Sequence, residues 1–91
     1  METRISVITI VMNILEAEER ATEKINELLH GAGVFVVGRM GIPYREKNVN
    51  IINVVVDAPQ NVVSALAGKM GKIPGISVKT SYTSVITQNE A

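Results

Sequence analysis

The strongest constraint on this chain is an internal echo. Ile5–Asn13 and Val49–Asp57 carry the same pattern: apolar, polar, two apolar, polar, three apolar, polar. Gly33–Met40 and Gly75–Tyr82 also correspond, each opening with glycine followed by Val or Ile. The offset is 44 residues for the first pair and 42 for the second. One plan written twice in 91 residues leaves room for a single domain assembled from two similar halves.

Periodicity places the elements. Ile5–Asn13 reads as a β-branched strand. Glu16–His30 reads as a helix with Ala17, Ala21, Ile25, Leu28 and Leu29 on one face. Its acidic first turn suits the helix dipole, and Gly31 suits the left-handed position past its end. Val34–Met40 is a second strand, Gly41–Asn48 a loop, and Val49–Asp57 a third strand. Pro59 starts a second helix with Val62, Val63, Leu66 and Met70 as its stripe, closed by Gly71 and Pro74. Ile76–Ser84 is the last strand, with Ile76, Val78, Thr80 and Tyr82 turned inward. The order βαββαβ, with two right-handed crossovers, predicts an α+β ferredoxin-like fold. Its four-stranded antiparallel sheet has order 4-1-3-2, with both helices on one face. The ordered core is expected over about residues 4–85, followed by a short polar tail, 86–91.

Composition removes several functions. Nine basic and nine acidic residues balance, so the chain lacks the bulk positive field that favours phosphate backbones, which argues against direct DNA binding. With no cysteine there is no disulfide, thiolate nucleophile or cysteine-ligated metal, and one histidine rules out multi-imidazole sites in one chain. No metal and no cofactor are expected. The longest apolar run, Ile5–Leu15, falls short of the roughly 20 residues of a spanning helix. No small-residue cleavage site follows it. The expectation is a cytoplasmic protein without membrane contact.

What stands out is aliphatic surplus. Hydrophobic residues make up 46% of the chain and aromatic residues 3%. Two helices cover one sheet face, over Ile8, Ile10, Met12, Ile52, Val54 and Val56. The other face would carry Ile5, Val7, Thr9 and Val11 beside Val49, Ile51, Asn53 and Val55, joined by Phe35, Val37 and Arg39. A sheet with one wet face should alternate apolar and polar residues, and only the last strand does so. The uncovered face, on the order of several hundred Å², exceeds what monomers usually expose. Self-association is therefore expected, as a dimer or tetramer, with Val7, Thr9, Val11, Phe35, Val37, Ile51, Asn53 and Val55 at the interface.

The segment Gly38-Arg39-Met40-Gly41-Ile42-Pro43-Tyr44-Arg45-Glu46-Lys47 is the candidate ligand site. Its glycines allow close backbone approach, and Arg39, Tyr44, Arg45 and Lys47 could hold a carboxylate or phosphate. Gly38, Arg39, Met40, Gly41, Tyr44 and Arg45 are the candidate binding residues. The plainer reading is a hairpin whose charges are solvated. On the uncovered face Arg39 would lie near Thr9 and Asn53 and would need a partner, Asp57, Glu46 or a bound anion. His30 fits a helix C-terminus. The run Glu16, Glu18, Glu19, Glu23, Glu27 with Arg20 and Lys24 reads as a solvated face with a Glu16–Arg20 pair. The glycines at 68, 71 and 75 form no phosphate loop. Ser64, Ser81 and Ser84 have no histidine base, and no carboxylate pair suggests acid–base work. Nothing points to an enzyme.

These residues resemble the family of iron-only hydrogenase system regulators. The likeness runs from about Arg4 to Val85 and rests on Arg4–Ile8, Lys24–His30, Gly38–Tyr44, Val54–Asp57 and Gly68–Lys79. It implies an ACT-like domain, similar to the C-terminal domain of the nickel-responsive repressor, with a regulatory role tied to iron-only hydrogenase genes. One histidine and no cysteine do not reproduce that repressor's nickel ligands. The first strand-to-helix connection, Met12–Leu15, lacks the glycine beside which ACT domains commonly bind amino acids. With no DNA-reading element before Ile5, such a regulator would act through a partner. The function expected is a non-enzymatic regulatory oligomer that binds a small effector or a hydrogenase-system protein. The alternatives are a ligand-free scaffolding subunit, or an oligomer that gathers Arg39, Arg45, Lys47, Lys69, Lys72 and Lys79 into a DNA-binding patch.

Overall fold

In the computed structural model, which describes residues 1–88, four strands and two helices follow in the expected order. They are β1 (Glu2–Asn13), α1 (Ala21–Gly31), β2 (Val36–Tyr44), β3 (Val49–Ala58), α2 (Gln60–Gly71) and β4 (Ile76–Gln88). The strands form one sheet of order β2-β3-β1-β4, antiparallel throughout. This is the ferredoxin-like arrangement the echo predicts.

The register explains the core. Ile8, Ile10 and Met12 stand opposite Val54, Ile52 and Asn50 on β3. Ile8, Ile10, Met12, Ile52, Val54 and Val56 are all buried against Ile25 and Leu29 of α1 and Val63, Leu66 and Met70 of α2. Pro59 sits just ahead of α2 in extended conformation, and its carbonyl accepts from Val62 N and Val63 N to close the first turn.

Several boundaries differ from expectation, each for a local reason. α1 begins at Ala21, not Glu16. The side chain of Asn13 takes Leu15 N at 3.1 Å and its carbonyl takes Ala17 N at 2.8 Å, so residues 13–20 turn before the helix starts. Arg20 accordingly pairs with Glu23, not Glu16. Gly31 is the last helical residue and has no left-handed backbone; the chain continues into a 3-10 turn, Gly33–Phe35. The left-handed glycine is Gly75, φ +80, where a Cβ would lie 2.6 Å from the backbone of Ala17. Gly75 O accepts from Asn13 N at 2.8 Å, which ties the start of β4 to the end of β1.

The expected loop Gly41–Asn48 is mostly strand. β2 runs to Tyr44, a 3-10 turn spans Arg45–Lys47, and Asn48 reverses the chain at φ 54. Of the polar tail expected over 86–91, Ile86–Gln88 belong to β4 and pair with Glu2–Arg4; residues 89–91 lie outside the described residues. On β4, Ile76, Val78 and Thr80 are half-buried and alternate with exposed Ser77, Lys79 and Ser81. Tyr82 stands opposite buried Ser6 yet is exposed, and the β1–β4 register shifts just beyond this pair.

Candidate functional site

The sheet face away from the helices is built by the odd-numbered residues of β1 and β3. Val7 faces Val55, Thr9 faces Asn53 and Val11 faces Ile51, all half-buried. The two polar interruptions satisfy one another, since Thr9 Oγ1 donates to Asn53 Oδ1 at 2.8 Å. Among the described residues, charge on this face sits at its margins: Lys79 opposite Thr9 on the edge strand β4, and Asp57 opposite Ile5 at the end of β3. Asp57 Oδ1 is buried and has no hydrogen-bond partner among the described residues.

The contribution of β2 differs from expectation because of a bulge. Val36 pairs with Val56 and Gly38 with Val55, so Val37 is an extra residue that shifts the alternation by one. Met40, Ile42 and Tyr44 now stand opposite Asn53, Ile51 and Val49 on the uncovered face, each between 43% and 57% exposed. Arg39 stands opposite buried Val54, on the helix side, and so is not near the Thr9–Asn53 pair. Phe35 also leaves the expected interface: it packs from the 3-10 turn against the core and lines a groove with Leu28, Val62 and Leu66. Val37, in the bulge, is 66% exposed.

The six candidate ligand residues therefore do not converge on one point. Gly38, Met40 and Tyr44 belong to the uncovered face, Arg39 and Gly41 to the helix side, and Arg45 to the exposed turn beyond β2. Arg39 has a different neighbour from the acids considered for it: its Nη2 donates to Asn26 Oδ1 of α1 at 3.1 Å. Asn26, Leu29, His30, Gly33, Val36 and Arg39 line a shallow groove of about 370 Å³ between α1 and β2. A second groove, with Thr22 and Gly41, adjoins it through Arg39. Thr22, Asn26 and His30 recur at i, i+4 along α1, a polar stripe facing an edge strand. That i, i+4 spacing is the sequence signal for Asn26, visible along the helix and not at any single residue.

Among the described residues, no group of three or more His, Asp or Glu could hold a metal ion. No helix there is long and apolar enough to cross a membrane.

Comparison with known proteins agrees with the geometry. TM1266 from Thermotoga maritima is 39% identical, with 88% of this chain and 96% of that one covered and a TM-score of 0.79. The ACT domain of GTP pyrophosphokinase from Chlorobium tepidum is 15% identical over 87% of this chain and 99% of that domain, at a TM-score of 0.65. The C-terminal domain of the MgtC protein from Mycobacterium tuberculosis, 9% identical over 89% of this chain and 88% of that domain, reaches 0.63. The latter two establish likeness of fold, which is ACT-like. No curated protein matches the sequence. Residues 4–80 match the TM1266-like family, whose description reads "Iron-only hydrogenase system regulator, putative", and the chain belongs to that family.

Proposed function

We propose that this protein is a non-enzymatic regulatory module of the iron-only hydrogenase system that works as a homo-oligomer and responds to a small effector or a protein partner. The observation that carries the reading is the uncovered sheet face. Its centre is Val7, Val11, Ile51 and Val55, and the one polar pair within it, Thr9–Asn53, is already hydrogen-bonded. Burying that face leaves the Thr9 hydroxyl and Asn53 Oδ1 paired with each other, so the hydrophobic gain of about 25 cal/mol per Å² is offset at this pair by the Asn53 amide N–H groups alone. The bulge adds Met40, Ile42 and Tyr44 to the same surface. A monomer with this surface open would be prone to associate without specificity.

The bound copy is a second chain of the same kind: around the apolar centre the face carries one charge of each sign, Lys79 on the edge strand β4 and Asp57 at the end of β3, which two copies can pair with one another. Family membership supports the regulatory role, and the ACT-like fold suits a module that presents a sheet to a partner. Size-exclusion chromatography with light scattering tests the oligomer. A dimer or tetramer at micromolar concentration is expected, and a clean monomer contradicts the reading. Pull-down from a native host separates the regulator from a ligand-free scaffold, since a scaffold brings down hydrogenase or maturation proteins whether or not a metabolite is present.

A further inference from the structure

We infer that the groove between α1 and β2 is a binding site for a small carboxylate with a short aliphatic tail, held head-on by Arg39. The inference gives the effector of the proposed regulatory module a place and a chemical class, and it rests on that reading. The groove lies on the helix side of the sheet, away from the self-association surface, so occupancy and assembly can be measured separately.

The polar groups around the groove are hydrogen-bond donors looking for an acceptor. Asn26 Oδ1 is occupied by Arg39 Nη2, which leaves the Asn26 amide N–H groups and the rest of the guanidinium fork available as donors beside the groove that both residues line. His30, one helical turn beyond Asn26, lines the same space. No acidic residue lines this groove or the one adjoining it at Thr22 and Gly41, in a chain with nine acidic residues. Arg20 and Arg4 are engaged differently. Arg20 pairs with the Glu23 carboxylate, and Arg4 donates to the Thr83 carbonyl. Among the described residues, Arg39 is held by a neutral amide and its charge is not matched by a carboxylate.

A planar fork fixed on one side by an amide matches a carboxylate, which accepts two parallel N–H bonds. The groove floor is apolar, formed by buried Leu29 and half-buried Val36, so the anion should carry hydrocarbon. Two glycines keep the space open. At Gly33 and at Gly41 an added Cβ would meet nothing within 4 Å, and neither has a left-handed backbone. Gly33 lines this groove and Gly41 the adjoining one, so a side chain introduced at either adds bulk to a groove wall without a clash at its Cβ. A volume of about 370 Å³ admits a small molecule.

The test is an amide-resonance titration of the full chain with 4-methylpentanoate, with 4-methylpentanamide and inorganic phosphate as controls. Saturable shifts at Asn26, His30 and Arg39 are expected with the carboxylate and none with the amide. Arg39→Gln should weaken binding at least about tenfold, as loss of a charge-assisted pair does. Gly33→Leu, which adds a bulky side chain to the groove lining and leaves Arg39 in place, should block binding while its spectrum stays folded. Absence of saturable shifts up to about 10 mM would overturn the site. So would equal binding of the amide, and phosphate binding as tightly as the carboxylate would overturn the ligand class. Light scattering on the same samples keeps the two readings apart. A monomer that binds the carboxylate removes the self-association reading alone, and an oligomer that does not bind removes the site alone.

Discussion

Thr9 and Asn53 face one another across the two central strands and share a 2.8 Å hydrogen bond between the aliphatic pairs Val7–Val55 and Val11–Ile51. Removing one partner should cost more than removing both. Thr9→Val is expected to destabilise by about 1–2 kcal/mol, because it leaves Asn53 without its donor on the face that the proposed oligomer covers. Thr9→Val combined with Asn53→Val should recover most of that loss, a positive coupling measurable in a double-mutant cycle by urea unfolding at fixed protein concentration. Additive losses would mean that the pair stays wet in the assembled protein.

Gly75 is the position where backbone and packing both demand glycine. Its φ is +80, and a Cβ there would stand 2.6 Å from the Cα and N of Ala17. Gly75→Ala should destabilise by about 2–4 kcal/mol, since left-handed strain and a clash with backbone act together. Denaturant unfolding at unchanged m-value checks it.

Asn48 reverses the chain between β2 and β3 at φ 54, ψ 41, and its carbonyl accepts from Ile14 N at 2.9 Å. Asparagine tolerates this conformation and β-branched residues do not. Asn48→Gly should be neutral within about 0.5 kcal/mol, whereas Asn48→Val should cost about 1–2 kcal/mol. Thermal unfolding of the two variants side by side reads the difference.

The far end of β4 hangs on Thr83. Its Oγ1 donates to Ile5 O at 2.6 Å and accepts from Val85 N at 3.2 Å, while its carbonyl takes Arg4 Nη1 at 2.7 Å. Thr83→Val removes the first two bonds and should cost about 1–2 kcal/mol. The loss should be local, appearing in hydrogen exchange as faster amides over residues 83–88 with the centre of β1 unchanged.

How far the sequence could be read follows from which signals are periodic. The alternation of Ile8, Ile10 and Met12, echoed in Ile52, Val54 and Val56, identified the central strands, their buried face and the fold, because a period of two leaves one register that buries them. On β2 the same period of two misleads. A single extra residue at Val37 inverts the alternation downstream, sending Arg39 to the helix side and Met40 to the uncovered face. Nothing in a pattern of apolar residues announces a bulge beside Gly38. The start of α1 was misplaced because Glu16, Glu18 and Glu19 mimic an acidic first turn, while the deciding contact is the Asn13 side chain on Leu15 N. Arg39 was recognised as a residue in want of a partner. Its actual neighbour, Asn26, lies 13 residues away on another element, a relationship that only packing creates.

The central claim is that the uncovered face of β1 and β3 is where copies of this chain meet. Sedimentation equilibrium of the wild type beside Val55→Asp tests it directly, since Val55 lies opposite Val7 on that face. The expected result is a wild type at twice or four times the chain mass at micromolar concentration, and a Val55→Asp variant at the mass of one chain with unchanged secondary structure. A wild type at the mass of one chain, or a variant that assembles as the wild type does, would contradict the account.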